Sequence, residues 1–233
     1  KGCPSHAAGR PDNIPIKASN AYSFISSHRP FRLEIECMIQ VPKQHYQHCR
    51  IAGCNREEHL TDDPSQHKLL LQHEWKLGTD GSISGLKGTG IEIRSPFIIG
   101  DAILAQKHIL SEWANISKMQ VDDSCGLHIH VSIADFTLYD VRRLYNRAFF
   151  YEDQFFKLVP YHRRNNKYCK RFKAGRDVKN RISYSLIKQQ KDFSDVSRVD
   201  RYRWINFSTA TRGSVEFRLA PGTSNINLIL LWA

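Results

Sequence analysis

Four short stretches of the chain set pairs of charged or imidazole side chains, two positions apart, in otherwise apolar runs. They are Leu33-Glu34-Ile35-Glu36-Cys37, Ile91-Glu92-Ile93-Arg94, Leu127-His128-Ile129-His130-Val131 and Val215-Glu216-Phe217-Arg218-Leu219. Side chains of a strand alternate between faces, so each pair lies on one side and its apolar neighbours on the other. If the four strands share a sheet, one face is core. The other collects the carboxylates of Glu34, Glu36, Glu92 and Glu216, the imidazoles of His128 and His130, and the guanidinium groups of Arg94 and Arg218.

The rest of the pattern supplies the elements around these strands. A first strand is predicted over Phe31–Ile39, ended by Pro42. Leu69–Leu77 reads as a strand closed by the turn Gly78-Thr79-Asp80-Gly81, and Gly90–Arg94 as another. Between Asp101 and Met119 the period becomes helical, carried by Ile103, Ile109, Leu110, Trp113 and Ile116. A second helix is predicted from Leu138 to Leu158, with Pro160 just beyond it. Its apolar face includes Glu152; Phe149, Phe150, Phe155 and Phe156 read as core, with Tyr145 and Tyr151 at the edge. Tyr202–Phe207 and Ser214–Leu219 read as closing strands, and a final helix follows Pro221-Gly222. Strands in series with long helices inserted give an α+β protein, with helices on one face of a mainly antiparallel sheet. Residues 1–30 are an irregular, Gly/Pro/Ser-rich lead-in.

Composition narrows the class. The chain has 233 residues, 41% hydrophobic and 24% charged, which suits one globular domain. No run approaches the ~18 apolar residues of a membrane helix. The chain begins with Lys and stops in a helical pattern, so it reads as a fragment, and no targeting segment is seen in it. The six cysteines are scattered rather than framed for disulfides, which points to a reducing, cytoplasmic setting. Cys49 and Cys54, near His45, His48 and His59, could bind zinc, but the C-x4-C spacing is loose and a polar loop is the plainer reading. The sequons at Asn115 and Asn206 fall inside predicted elements and read as chance.

Net charge is +11, concentrated between Arg163 and Arg203, where Tyr168, Phe172, Tyr184 and Tyr202 interleave with basic residues and Tyr161 and Trp204 flank them. Such a segment can bind nucleic acid by phosphate contact and stacking, or receive a nucleotide or an anionic polymer. The chemistry of the paired strands is more specific. Two carboxylates on one strand face repel each other, and a bound cation removes the repulsion. Carboxylate oxygens suit Mg²⁺, and Mn²⁺ also accepts imidazole, so the face offers ligands for two or three ions. Arginines add forks for phosphate or carboxylate. Carboxylates, divalent metal and arginine together are the apparatus of phosphoryl transfer. No glycine-rich phosphate loop is present, so a nucleotide here is held by metal and arginine on a sheet face.

Three opening segments, Phe31-Arg-Leu-Glu-Ile-Glu36, Trp75-Lys-Leu-Gly-Thr-Asp-Gly-Ser82 and Gly90-Ile-Glu-Ile-Arg-Ser-Pro96, resemble signatures of the amidoligase family. Cys125–Val131, Arg163–Cys169, Arg201–Asn206 and Val215–Arg218 are similar to its later segments, in the same order. That family belongs with the glutamine synthetase and glutamate–cysteine ligase superfamily of carboxylate–amine ligases. The resemblance covers about Phe31 to Thr223. It implies a catalytic domain over 31–233, with 44–67 as an insertion, and a glutamine synthetase-like fold. In that fold a curved, mainly antiparallel sheet carries helices on its convex face and holds ATP, two or three Mg²⁺ (or Mn²⁺) ions and an acceptor carboxylate on its concave face.

By the same resemblance Glu34, Glu36, Glu92, His128 and Glu216 are metal ligands. His130, Arg163, Arg164, Arg212 and Arg218 contact nucleotide, and Asp80, His130 and Arg218 act in catalysis. Ser214 stands where some relatives carry an arginine, and Arg212 is the candidate replacement. The implied reaction joins a carboxylate to an amine through an acyl phosphate. The rivals are a nucleic-acid-binding or structural protein using 163–203, and a metal-dependent hydrolase on the same ligands.

Overall fold

A computed structural model describes residues 29–39, 64–83, 89–172 and 200–233. The lead-in, Cys3, Cys49 and Cys54, nearly all of the 44–67 stretch and the middle of the basic segment lie outside the described residues. Six strands form an open sheet: β1 (Phe31–Ile39), β2 (Lys76–Thr79), β3 (Thr89–Arg94), β4 (Leu127–Ser132), β5 (Ile205–Asn206) and β6 (Ser214–Phe217). Their order is β2-β3-β1-β4-β6-β5, and all of these strand pairs are antiparallel. β1 is central because only it pairs with both an early hairpin strand and the later His-x-His strand.

The alternation in each strand drives the layering. Leu33, Ile35, Ile91, Ile93, Leu127 and Ile129 bury one face against Leu70, Leu110, Trp113 and Ile229. Those partners come from α1 (Pro64–Gln72), α2 (Ala102–Ile116) and α5 (Ile226–Trp232). Each such aliphatic side chain contributes roughly 1.5–3 kcal/mol on burial. A second cluster continues the same layer under α3 (Leu138–Lys157), where Val141, Tyr145, Ala148 and Phe156 pack on Ile205, Phe207 and Val215. Val131, Phe217 and Trp232 touch both clusters. The helices therefore occupy the apolar face, and the opposite, polar face floors a cavity in which Glu36, His128, His130 and Glu216 are themselves buried.

Local signals fix the long helix. Thr137 accepts from the Asp140 amide at 3.3 Å while the Asp140 carboxylate accepts from the Thr137 amide at 3.0 Å, a reciprocal capping box. Within α3, Tyr145 lies at the centre of the core rather than at its edge, its ring tilted against those of Phe172 and Phe207. Phe150 is not core: it is 69% exposed, because it follows Phe149 by one position and so turns to the outer side of the helix. Tyr151 is also exposed.

The strand expected over Leu69–Leu77 is mostly helix. α1 runs to Gln72, Glu74 turns the chain at φ 64°, and only Lys76–Thr79 is extended. A run of three leucines fits either period, and leucine's high helix propensity prevails. The closing strands are shorter than expected, Ile205–Asn206 and Ser214–Phe217, joined through a 3₁₀ turn at Ala210–Arg212. Gly213 takes φ 76° there, a left-handed conformation glycine adopts without a Cβ penalty. Among the described residues no helix is long and apolar enough to cross a membrane.

Candidate active site on the polar face

The strand register sets the polar side chains in three cross-strand rows. Arg94, Glu34 and His128 form one. Arg32, His130, Glu216 and Asn206 form the next. Gly78, Glu92 and Glu36 form the third, extended by Gly126, whose carbonyl accepts from the Glu36 amide at 3.0 Å. Space beside Gly126 is tight. A Cβ there would lie 3.0 Å from Glu36 Oε2, 3.1 Å from an Arg163 nitrogen and 3.2 Å from His128 Nε2.

These rows floor a cavity of about 1000 Å³, large for a small-molecule site. Its centre is acidic and imidazole-rich, and arginines ring it. His128 Nδ1 lies 3.3 Å from Glu216 Oε1 and 3.8 Å from Glu34 Oε2, while its Nε2 lies 3.5 Å from Glu36 Oε1. His130 Nε2 lies 3.0 Å from Glu34 Oε1. These are ion-pair distances without hydrogen-bond alignment: His128 Nδ1 and His130 Nε2 are buried and have no hydrogen-bond partner. Arg218 pairs with Glu216 and donates from Nε to the Tyr168 carbonyl at 3.1 Å. Arg94 Nε lies 3.3 Å from Glu92.

Charge crowding separates the carboxylates. Burial pushes Glu34 up, but the imidazoles of His128 and His130 outweigh it and hold the group well below the ordinary carboxylate range. Burial and then the neighbouring Glu34 charge push Glu92 up to about 7, and Arg94 only partly offsets them. Two carboxylates a strand apart with such unlike proton affinities are a site short of positive charge. The thiols near the floor take no part: burial raises Cys37 and Cys169, and raises Cys125 to about 11, which keeps all of them protonated.

The residues present fit divalent cations. Ligand atoms of Glu34, Glu92 and His128, of Glu34, His130 and Glu216, and of Glu36, Asp80 and Glu92 each lie within 4.8 Å of one another. A cation with bonds of roughly 2.1–2.4 Å can bridge such sets. His128 Nδ1 and His130 Nε2, which face these carboxylates, would supply lone pairs to a cation in their neutral form.

The structure brings Glu34, Glu36, Glu92, His128, His130, Glu216 and Arg218 to this floor. Asp80 borders it from the turn after β2, with Oδ1 accepting from the Ser82 amide and hydroxyl at 2.7 Å. Arg163 reaches it from α4 (Tyr161–Arg164), fully buried, and donates to the carbonyls of Leu219 at 3.3 Å and Arg218 at 2.5 Å. Arg212 stands exposed on the rim. Arg164 is not brought to the cavity: it bonds the carbonyls of Val159 at 2.8 Å and Lys157 at 3.2 Å, closing the C-terminus of α3. Sequence reasoning missed Arg32 and Asn206. Arg32 shares the parity of Glu34 and Glu36 and was open to discovery. Asn206 sits on a two-residue strand whose partner no local pattern reveals.

An open antiparallel sheet with helices on one face and carboxylates, imidazoles and arginines lining the other defines an α+β protein with one strongly charged face. Residues 27–233 match the family described as "Putative amidoligase enzyme". The chain belongs to that family, which makes it a ligase-type enzyme. No curated protein and no solved structure matches the chain.

Proposed function

We propose that the protein is an ATP- and Mg²⁺-dependent carboxylate–amine ligase on a glutamine synthetase-like sheet, with its catalytic domain over 31–233. The observation that carries this reading is the convergence of three potential cation-ligand sets with arginines in one cavity. Family membership supports amide-bond formation as the chemistry. A metal-dependent hydrolase would not need the ring of arginines, which suits a polyphosphate and a carboxylate together.

In this reading Glu34, Glu36, Glu92, His128 and Glu216 hold divalent cations, which supply charge neutralisation at the phosphates. His130, Arg163 and Arg212 face nucleotide, and Arg218 faces the transferring phosphoryl group. An oxygen of the acceptor carboxylate attacks the γ-phosphorus of ATP, and ADP leaves. The amine then attacks the acyl carbon and displaces phosphate, and its proton passes to a carboxylate, for which Asp80 at the cavity edge is the candidate. The buried free thiols Cys37, Cys125 and Cys169 accord with a cytoplasmic setting.

Hydroxylamine trapping tests the reading. Incubation with Mg²⁺, ATP and a panel of amino acids and peptides yields a hydroxamate and ADP in equal amounts if an acyl phosphate forms. ATP-independent cleavage of an amide by the same protein would refute the ligase in favour of a hydrolase.

A further inference from the structure

Asn206 is buried at 4% exposure in the shortest strand of the sheet, directly opposite Glu216. Its amide orientation follows from its neighbours. Oδ1 accepts from the Ser208 backbone amide at 2.9 Å and from the Ser208 hydroxyl at 2.6 Å. A backbone N–H can only donate, so the oxygen must face Ser208 and the NH₂ must face the site. Nδ2 accordingly donates to Glu216 Oε2 at 2.7 Å. The Asn-Phe-Ser sequence read as a chance sequon is thus a hydrogen-bonded turn that aims an amide at the cavity floor.

We propose that Asn206 is a positioning residue that holds Glu216 in a one-oxygen binding mode toward a divalent cation shared with Glu34 and His130. With Oε2 engaged by the amide, Oε1 is the oxygen turned toward His128, 3.3 Å away, and toward Arg218. A neutral donor suits the task. It satisfies a carboxylate oxygen that is 3% exposed with its residue, yet adds no positive charge that would compete with a metal. Lysine or arginine at 206 would fill the cation's place. The second Glu216 contact, from Arg218, falls on Oε1 itself, so a cation at that oxygen would share it with a guanidinium already tied to the Tyr168 carbonyl, while Asn206 alone holds Oε2.

Asn206 acts this way only if the face binds cations as proposed above, and one experiment separates the two claims. Mn²⁺ binding is measured by calorimetry and by the electron spin resonance of bound Mn²⁺, without nucleotide. The proteins are the unaltered chain, Asn206→Ala, Glu216→Ala and the double variant. Asn206→Ala is expected to weaken Mn²⁺ binding about 10–100-fold. In the Glu216→Ala background the same change is expected to have no further effect, because Asn206 works through that carboxylate. Ser208→Ala, which removes one of the two contacts fixing the amide, gives a smaller loss and serves if Asn206→Ala does not fold. Equal Mn²⁺ affinity in Asn206→Ala, or an equal loss in the Glu216→Ala background, overturns the positioning role while leaving the cation site standing. Absence of Mn²⁺ binding by the unaltered chain overturns both.

Discussion

Glu152 and the glutamates of the sheet face are buried in different ways. Glu152, fully enclosed between α3 and the closing strands, accepts from the Phe172 amide at 2.5 Å and the Trp204 indole at 3.0 Å. Glu36 and Glu216, at 6% and 3% exposure, lie among other carboxylates and imidazoles; Glu216 is held by Asn206 and Arg218, and His128 Nε2 stands 3.5 Å from Glu36. In the core a single carboxylate meets donors placed for it, which is how burial of a polar group is tolerated. On the sheet face, Glu34, Glu36, Glu92 and Glu216 share one cavity floor, so like charges are gathered there rather than met one at a time. Burial in the first region serves folding; in the second it gathers ionisable groups in a cavity, the pattern of a candidate functional site.

The comparison breaks most visibly at Glu152. Glu152→Ala leaves two buried N–H donors unanswered and a void, and should cost about 3–5 kcal/mol, read by denaturant unfolding. Its effect on Mn²⁺ affinity per folded molecule should be nil. Glu216→Gln should act mainly on the site: a loss of cation affinity worth about 2–3 kcal/mol by calorimetry, with a smaller cost in unfolding of the metal-free protein, from the weakened Arg218 pair, than Glu152→Ala brings.

Glu92 sharpens the contrast through pH. Its folded value of about 7 lies above the ordinary 4.5, so the metal-free protein is stabilised at low pH by the proton Glu92 retains. That contribution fades as pH rises from the ordinary value to about 7. Glu92→Gln should therefore stabilise the chelated protein by on the order of 2 kcal/mol at pH 8 and by less at pH 5.5. A melting series in chelator checks this, and equal shifts at both pH values would contradict it. The smallest effect is expected at Arg164. Arg164→Ala removes exposed contacts to the end of α3 and should cost under about 1 kcal/mol, with nucleotide binding unchanged.

Much of this division was legible in the chain. Period-2 alternation at Glu34/Glu36, Glu92/Arg94, His128/His130 and Glu216/Arg218 places each pair on one face, and the four strands do share a sheet. The long helix was legible from its spacing and the proline beyond it. Less visible were features that depend on partners distant in sequence. Glu152 sits on an apolar helix face because Phe172 and Trp204 supply its donors. Asn206 matters because β5 pairs with β6 in one register. Arg163 and Arg164 are adjacent and chemically identical, yet a short helix sets one in the cavity wall on the Arg218 and Leu219 carbonyls and the other on the Lys157 and Val159 carbonyls at the end of α3. The apolar run at Leu69–Leu71 carries no period that separates helix from strand, so local propensity decided it.

The measurement that bears most directly on the account is calorimetric binding of a non-hydrolysable ATP analogue, with and without Mg²⁺, to the unaltered chain and to Glu36→Gln. The account predicts Mg²⁺-dependent binding that Glu36→Gln weakens at least tenfold while its fold is retained. Binding that ignores both Mg²⁺ and the substitution, or no binding at all, would contradict the placement of nucleotide on the carboxylate face.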